Sequence, residues 1–351
     1  MIRVLIVDDS AFMRKMITDL LEEDKRIQVI ATARNGQDAL EKIKQFNPDV
    51  VTLDVEMPVM NGLDALKKIM ESTPKPVIMV SSTTKEGAEN TVLAMSFGAI
   101  DFIAKPSGAI SLDLHKVQNE LIEKVILAAS VKLTKLLPTK KAEQIVTIEQ
   151  NSLERKHKKR LYDKKLVAIG TSTGGPKALQ QVLTKLPENI NAPILIVQHM
   201  PAGFTKSLAA RLDSLSKITV KEAEDGEVVK KGVAYIAPGG YHLKVRSIGT
   251  TLAIQLDQSP PENGHRPSVD TMLTSLASIS NYSIITVIMT GMGADGSKGL
   301  VKLKNTGDVV AIAEAEESSV VFGMPRAAIK TNKIDEVVHL NDIAASIERY
   351  C

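Results

Sequence analysis

Short apolar runs alternate with amphipathic stretches from the first residues onward, and this alternation constrains the fold more than any other feature. The runs are VLIV at 4–7, VIATA at 29–33, DVVTL at 49–53, PVIMVS at 76–81 and IDFIA at 100–104. Between them, Ala11–Leu21, Asp38–Phe46, Gly62–Glu71 and Lys85–Phe97 carry apolar residues at helical spacing. Strands and helices in strict alternation predict a parallel sheet covered by helices on both faces, a doubly wound α/β unit. The pattern returns further along. LVAIG at 166–170 precedes a helix from Pro176, the run ILIVQ leads into His199, and IITVIMTG at 284–291 and VVAIA at 309–313 read as further buried strands. Val228–Leu256, with Gly-Gly at 239–240 and β-rich flanks, reads as hairpins. The expected fold is therefore α/β twice over. A five-stranded parallel unit (1–125) is joined by a linker (126–165) to a second doubly wound, mostly parallel α/β unit with a β-hairpin region (166–351).

The formal charge of +3 is unevenly spread. Residues 130–165 carry net +7, residues 1–129 net −4 and residues 166–351 net zero, so the excess sits in one polar segment whose densest part is LERKHKKR at 153–160. Such a run reads as a solvated, self-repelling linker. With 5 Tyr, 6 Phe and no Trp there is little to build a base-stacking surface, so nucleic acid is not an expected partner. The single cysteine, Cys351, excludes a disulfide framework and fits a reducing, cytoplasmic setting. No apolar run approaches membrane-spanning length, and Asp8 and Asp9 interrupt the N-terminal run too early for a secretory signal.

In an open parallel sheet, ligands bind at the carboxyl ends of the strands. Asp8 and Asp9 end the first run, Asp54 the third, Ser81 the fourth, and Lys105 leaves the fifth. Three converging carboxylates need a cation among them, and a hard, oxygen-liganded ion such as Mg²⁺ is the natural one. A carboxylate beside a metal and a lysine can attack a phosphoryl donor.

The second unit offers a different constellation. Gly170-Thr171-Ser172-Thr173-Gly174 fits G-x-S-x-G on a strand-to-helix turn, which lifts a serine Oγ out for attack. The rival reading is a polar turn that merely caps a helix. A phosphate loop is improbable, because Pro176 stands where its lysine must be. Of six histidines, only His199 ends a buried-looking strand and should emerge at the same sheet edge as Ser172, which makes it the candidate base. Asp295, in TGMGADG, has the same strand-end placement and is the candidate orienting carboxylate. Asp270, in RPSVD, competes for that role but reads more naturally as the cap of the helix that follows. The Gly-rich turn at 291–296 exposes backbone N–H groups, so the Met292 N–H is a candidate oxyanion donor. Hydrolysis by such a site calls for no metal.

Two resemblances follow from these motifs. VDDS at 7–10, LDVEMPVMNG at 53–62, MVSS at 79–82 and KP at 105–106 are similar to the receiver domain of two-component response regulators, with its flavodoxin-like sheet. That similarity implies that Asp54 accepts phosphate from a histidine kinase (a chemotaxis kinase, given the second resemblance below), and that Asp8, Asp9, Asp54 and the Glu56 backbone carbonyl hold Mg²⁺. It further implies that Lys105 binds the phosphoryl group, Ser81 follows the added charge and Phe102 is the aromatic that changes position. Many receivers carry tyrosine at the last position. IGTSTGGP, VQHMPAGFT at 197–205, APGGYHL at 237–243, RPSVD and MTGMGADG together resemble the CheB methylesterase family. This implies Ser172 as nucleophile, His199 as base and Asp295 as its partner, acting on glutamyl methyl esters and certain glutamines of methyl-accepting chemoreceptors. A response-regulator transcription factor or a non-catalytic adaptor are the alternative functions. The first is disfavoured by the uncharged C-terminal half, which lacks a basic helix pair, and the second by the retained Ser172, His199 and Asp295. Two strand-end sites joined by a charged linker have no covalent route for signalling. The expected coupling is occlusion, with the unphosphorylated receiver packed over the Ser172 cleft.

Overall fold

A computed structural model of the chain describes residues 1–105, 113–131 and 162–351, with the side chains of 113–116 outside that set. Pro106 and most of the expected linker, including its basic core, lie outside the described residues.

The first unit runs β1 (Ile2–Val7), α1 (Ala11–Glu22), β2 (Ile27–Ala33), α2 (Gly36–Phe46), β3 (Val50–Asp54), α3 (Gly62–Ser72), β4 (Val77–Ser81), α4 (Lys85–Ser96), β5 (Asp101–Ala104) and α5 (Asp113–Ser130). Its five parallel strands lie in the order β2-β1-β3-β4-β5, the flavodoxin-like arrangement. Every residue of β3 and β4 is buried, which is why both read as unbroken apolar runs rather than alternating ones. Four helices begin at side-chain caps: Ser10, Asn35, Asn61 and Thr84 each accept a backbone N–H from the first turn. Helix α5 continues past position 125, where the sequence pattern had placed the end of this unit.

The second unit runs β6 (Lys165–Thr171), α6 (Gly175–Leu183), β7 (Ile194–Gln198), α7 (Phe204–Asp213), β8 (Thr219–Glu222), β9 (Val233–Ile236), β10 (His242–Ile248) and β11 (Thr251–Asp257). It continues with α8 (Val269–Leu276), β12 (Ser283–Ile288), α9 (Ser297–Thr306), β13 (Asp308–Glu314), α10 (Met324–Lys330), β14 (Glu336–Val338) and α11 (Leu340–Tyr350). Seven strands form one parallel sheet, β14-β13-β12-β6-β7-β9-β8. The chain builds outward from β6 in one direction and later returns to its other side with β12. The strand order therefore reverses between β6 and β12, and such switch points open a crevice at the carboxyl edge.

The hairpin expectation for 228–256 holds only for its last part. β10 and β11 form an antiparallel pair from His242↔Asp257 to Ile248↔Thr251, but β9 joins the parallel sheet, with Tyr235 and Ile236 fully buried. Gly239-Gly240 makes no hairpin turn. Gly239 is there for close approach: a Cβ on it would lie 2.2 Å from the Pro201 carbonyl carbon, in the loop just after His199.

The two units share an interface. Helix α4 packs on α6 and α7, the Phe102 ring sits 4.5 Å from that of Phe204, and Val320 packs against apolar residues of the first unit. Thr173 Oγ1 donates a hydrogen bond to Asp101 Oδ2 across the boundary.

Candidate active site

Ser172 and His199 follow directly after Thr171 and Gln198, which are register partners at the ends of β6 and β7. The Gln198 side chain ties the two strand ends together. Its Oε1 accepts from Thr171 Oγ1 at 2.6 Å, and its Nε2 donates to the Ser172 carbonyl at 3.0 Å. Gly175 leaves the room this requires, because a Cβ there would fall 1.9 Å from Gln198 Oε1. The Ser172 N–H donates to Thr290 O at 3.0 Å, which links the turn to the end of β12.

His199 Nε2 lies 2.8 Å from Asp295 Oδ2, while its Nδ1 is buried and without a hydrogen-bond partner. Asp295 is held from several directions. It accepts from Ser268 Oγ and from the backbone N–H groups of Val269 and Asp270, at 2.7–3.0 Å, and from Asn263 Nδ2 at 3.3 Å. Ser268 is the N-cap of α8, so the carboxylate sits at the positive end of that helix. Burial opposes its charge, but the His199 hydrogen bond and these N–H groups outweigh it and hold the Asp295 carboxyl well below the usual range. Asp270 is not the cap of α8, which is Ser268, but stands in its first turn and has a different task. Its carboxylate accepts from the Gly299 N–H at 2.6 Å and from Asn263, and burial raises its pKa. It makes no hydrogen bond to His199 among the described contacts. On the other side, a Cβ on Gly291 would lie 2.8 Å from Ser172 Cβ, so the turn carrying Met292 presses directly on the serine.

The first unit gathers its own charged groups at the same kind of edge. Asp8, Asp9 and Asp54 present carboxylate oxygens within 4.8 Å of one another, an all-oxygen donor set suited to Mg²⁺. Asp8 and Asp54 are buried and Asp9 is exposed. Lys105 Nζ lies 2.8 Å from Asp54 Oδ2 and 3.0 Å from Asp8 Oδ2. Burial pushes the Asp54 carboxyl up to about 6 against the pull of Lys105. For Lys105, burial disfavours the charge, yet the two carboxylates raise its pKa overall. The Glu56 N–H reaches Asp54 Oδ1 at 3.4 Å. The Ser81 hydroxyl is turned to the first turn of α4, donating to Gly87 O at 3.1 Å, and Phe102 is buried under Phe204.

A family model described as CheB methylesterase matches residues 167–347, and one described as response regulator receiver domain matches residues 4–115. The chain belongs to the CheB methylesterase family. Among curated CheB relatives, one from Halalkalibacterium halodurans is 59% identical over 100% of this chain and 98% of its own length. Another, from Bacillus subtilis, is 52% identical over 99% of this chain and 98% of its own. Both are named protein-glutamate methylesterase/protein-glutamine glutaminase. The solved CheB methylesterase catalytic domain of Thermotoga maritima superposes with a TM-score of 0.52 at 48% identity, covering 54% of this chain and 99% of that one. Around the CheB-type triad candidates, three residues carry geometry that sequence reasoning passed over: Gln198, Asn263 and Ser268. Ser268 stood inside the RPSVD motif as a visible helix cap. Gln198 gave no local signal and Asn263-Gly264 signalled only a tight turn, since their side-chain partners are distant in the chain.

Proposed function

We propose that this chain hydrolyses glutamyl γ-methyl esters on methyl-accepting chemoreceptors, releasing methanol, and deamidates specific receptor glutamines, with Ser172 as nucleophile. The observation that carries this reading is the His199–Asp295 pair with Nδ1 left free beside the Ser172 strand end. An anionic Asp295 can only accept, so the imidazole carries its proton on Nε2, and Nδ1 is the basic nitrogen. Nδ1 takes the Ser172 hydroxyl proton as Oγ bonds to the ester carbonyl carbon. The carbonyl oxygen becomes an oxyanion within reach of the Met292 N–H. Collapse breaks the bond to the methoxide, which leaves as methanol with the proton from Nδ1. Water, deprotonated by the same nitrogen, then cleaves the acyl-enzyme to glutamate and restores Ser172. For a glutamine substrate the leaving group is ammonia.

The receiver unit sets the timing. Asp54 accepts a phosphoryl group from a chemotaxis histidine kinase, Lys105 pairs with it, and Asp8, Asp9, Asp54 and the Glu56 carbonyl hold Mg²⁺. When bound, Mg²⁺ supplies neutralisation of the charge that develops on the transferring group. Before phosphorylation the receiver covers the catalytic edge. The Asp101–Thr173 hydrogen bond, the Phe102–Phe204 packing and a His199 side chain only 6% exposed support this closed arrangement. No described helix is long and apolar enough to cross a membrane, and the proposed setting is the cytoplasm, where the receptors present their methylated helices.

The test is methanol release from methylated receptor membranes. Ser172→Ala should remove nearly all of it while the chain stays folded. Wild-type turnover in that variant would overturn the nucleophile assignment.

A further inference from the structure

One hydrogen bond to Asp295 fixes one atom of the His199 ring but not the plane of the ring about that bond. A second constraint comes from the ring face. His265 lies on it as a parallel stack, with centroids 3.9 Å apart and planes inclined by 12°.

The chain has built a device to hold His265 there. Glu262 and His265 close a tight turn with two reciprocal backbone hydrogen bonds of 3.0 Å. Its two central residues, Asn263 and Gly264, have φ of 52° and 82°, the left-handed pair that an Asn-Gly turn favours. From that same turn, Asn263 Nδ2 reaches Asp295 Oδ1 at 3.3 Å and Asp270 Oδ2 at 3.0 Å. One four-residue turn therefore holds both the face of His199 and the far oxygen of its carboxylate partner.

We propose that His265 is a positioning residue for the hydrolysis. Its flat ring clamps the His199 imidazole so that Nε2 stays on Asp295 while Nδ1, which has no other partner, is kept available to take the serine proton. This rests on the Ser172–His199–Asp295 reading above. The charge state of His265 is consistent with the role. Burial, with His199 and Lys124 of the receiver nearby, lowers its pKa to about 4, so at neutral pH it faces His199 without charge. An uncharged aromatic face attracts a cation, whereas a second cation would oppose the protonation of His199 that each turnover requires.

The test uses full-length protein activated with beryllofluoride and Mg²⁺ on methylated receptor membranes, with kcat and KM determined separately. Misplacing a reacting group by about 1 Å costs on the order of 100-fold. On that scale His265→Ala and His265→Leu should each lower kcat by ~10- to 100-fold, with KM close to wild type. His265→Leu fills the space without offering a flat face, and cooperative thermal unfolding of each variant confirms its fold. His265→Phe restores the stack and should recover kcat to within a few-fold of wild type. Wild-type kcat in the Ala or Leu variant would overturn the proposal, as would a Phe variant as slow as Ala or an effect confined to KM. Ser172→Ala, assayed beside them, separates this outcome from failure of the triad reading. If it keeps activity, the nucleophile is wrong; if it is dead while His265→Ala is normal, only the clamp is wrong.

Discussion

Two buried aspartates, one in each unit, are held in opposite ways. Asp54 has sparse company: Lys105 at 2.8 Å and the Glu56 N–H at 3.4 Å, with the carboxyl of Asp8 beside it. Asp295 accepts from His199, Ser268, Asn263 and two backbone N–H groups. Burial wins at Asp54 and raises its pKa to about 6, whereas donors win at Asp295 and lower it. The difference fits the two kinds of work proposed for them. A carboxylate that must bond to an incoming group keeps lone pairs unclaimed and accepts the cost in desolvation. One that must orient a base has its lone pairs claimed, so that neither its charge nor its position varies.

The largest effects should therefore separate cleanly between the two. Asp54→Asn should abolish acid-labile labelling by acetyl phosphate and Mg²⁺. Asp295→Asn should keep that labelling and lower kcat by ~10²- to 10⁴-fold, since the base survives without its orienting partner. Undiminished labelling of Asp54→Asn would move the phosphorylation site and dissolve the contrast.

A smaller effect should appear at the boundary between the units. Asp101 is held by Lys124 at 3.1 Å, and its other oxygen accepts from Thr173, the residue after Ser172. Removing this contact with Asp101→Ala should raise the methanol release of unphosphorylated protein. A hydrogen bond worth ~1 kcal/mol corresponds to about 5-fold, toward the lower end of the roughly 5- to 150-fold typical of allosteric coupling. The phosphorylated rate should not change. Equal basal rates in variant and wild type would show that the docked receiver does not restrain the site through Asp101.

A last effect, read as a pH dependence, is on stability. The native-state pKa of His265 lies near 4, below its ordinary value of 6.5, chiefly because of burial, with His199 and Lys124 close by and Asp295 partly countering it. Between those two values the unfolded chain binds the extra proton and the native one does not. Stability contributed here is full above pH 6.5 and declines as pH falls toward 4. The total is roughly 1–3 kcal/mol, from 1.36 kcal/mol per unit with allowance for partial exposure. Thermal unfolding of wild type and His265→Phe across this range should show the variant losing less; parallel curves would place the acid sensitivity elsewhere.

Much of this was legible in the sequence because strand ends are local features. The runs before Asp8, Asp54, Ser172 and His199 are β1, β3, β6 and β7, each within a residue or two of expectation. Parallel topology then brings the ends within each sheet to one edge without further information. The hairpin reading of Gly239-Gly240 went astray because glycine pairs also serve close backbone approach, and only the Pro201 backbone distinguishes the two uses. Helix α5 and helix α11 were not singled out, although both carry amphipathic spacing. Sequence favoured Asp295 over Asp270, which it read as a helix cap; in space Asp295 lies 2.8 Å from His199, while the cap of α8 is Ser268 and Asp270 stands in its first turn.

The sequence by itself determined which residues stand at strand ends and therefore which chemistry each edge holds, because a period of apolar residues dictates a strand and parallel strands share an edge. Only the tertiary structure decided what surrounds those residues. The turn 262–265 belongs to no strand of the large sheet, and its grip on His199 and Asp295 arises from packing between segments far apart in the chain. The same holds for Thr173 and Asp101, which come from different units. Periodicity encodes the direction of a side chain relative to its own backbone, but which distant group fills the space it faces depends on how whole layers pack.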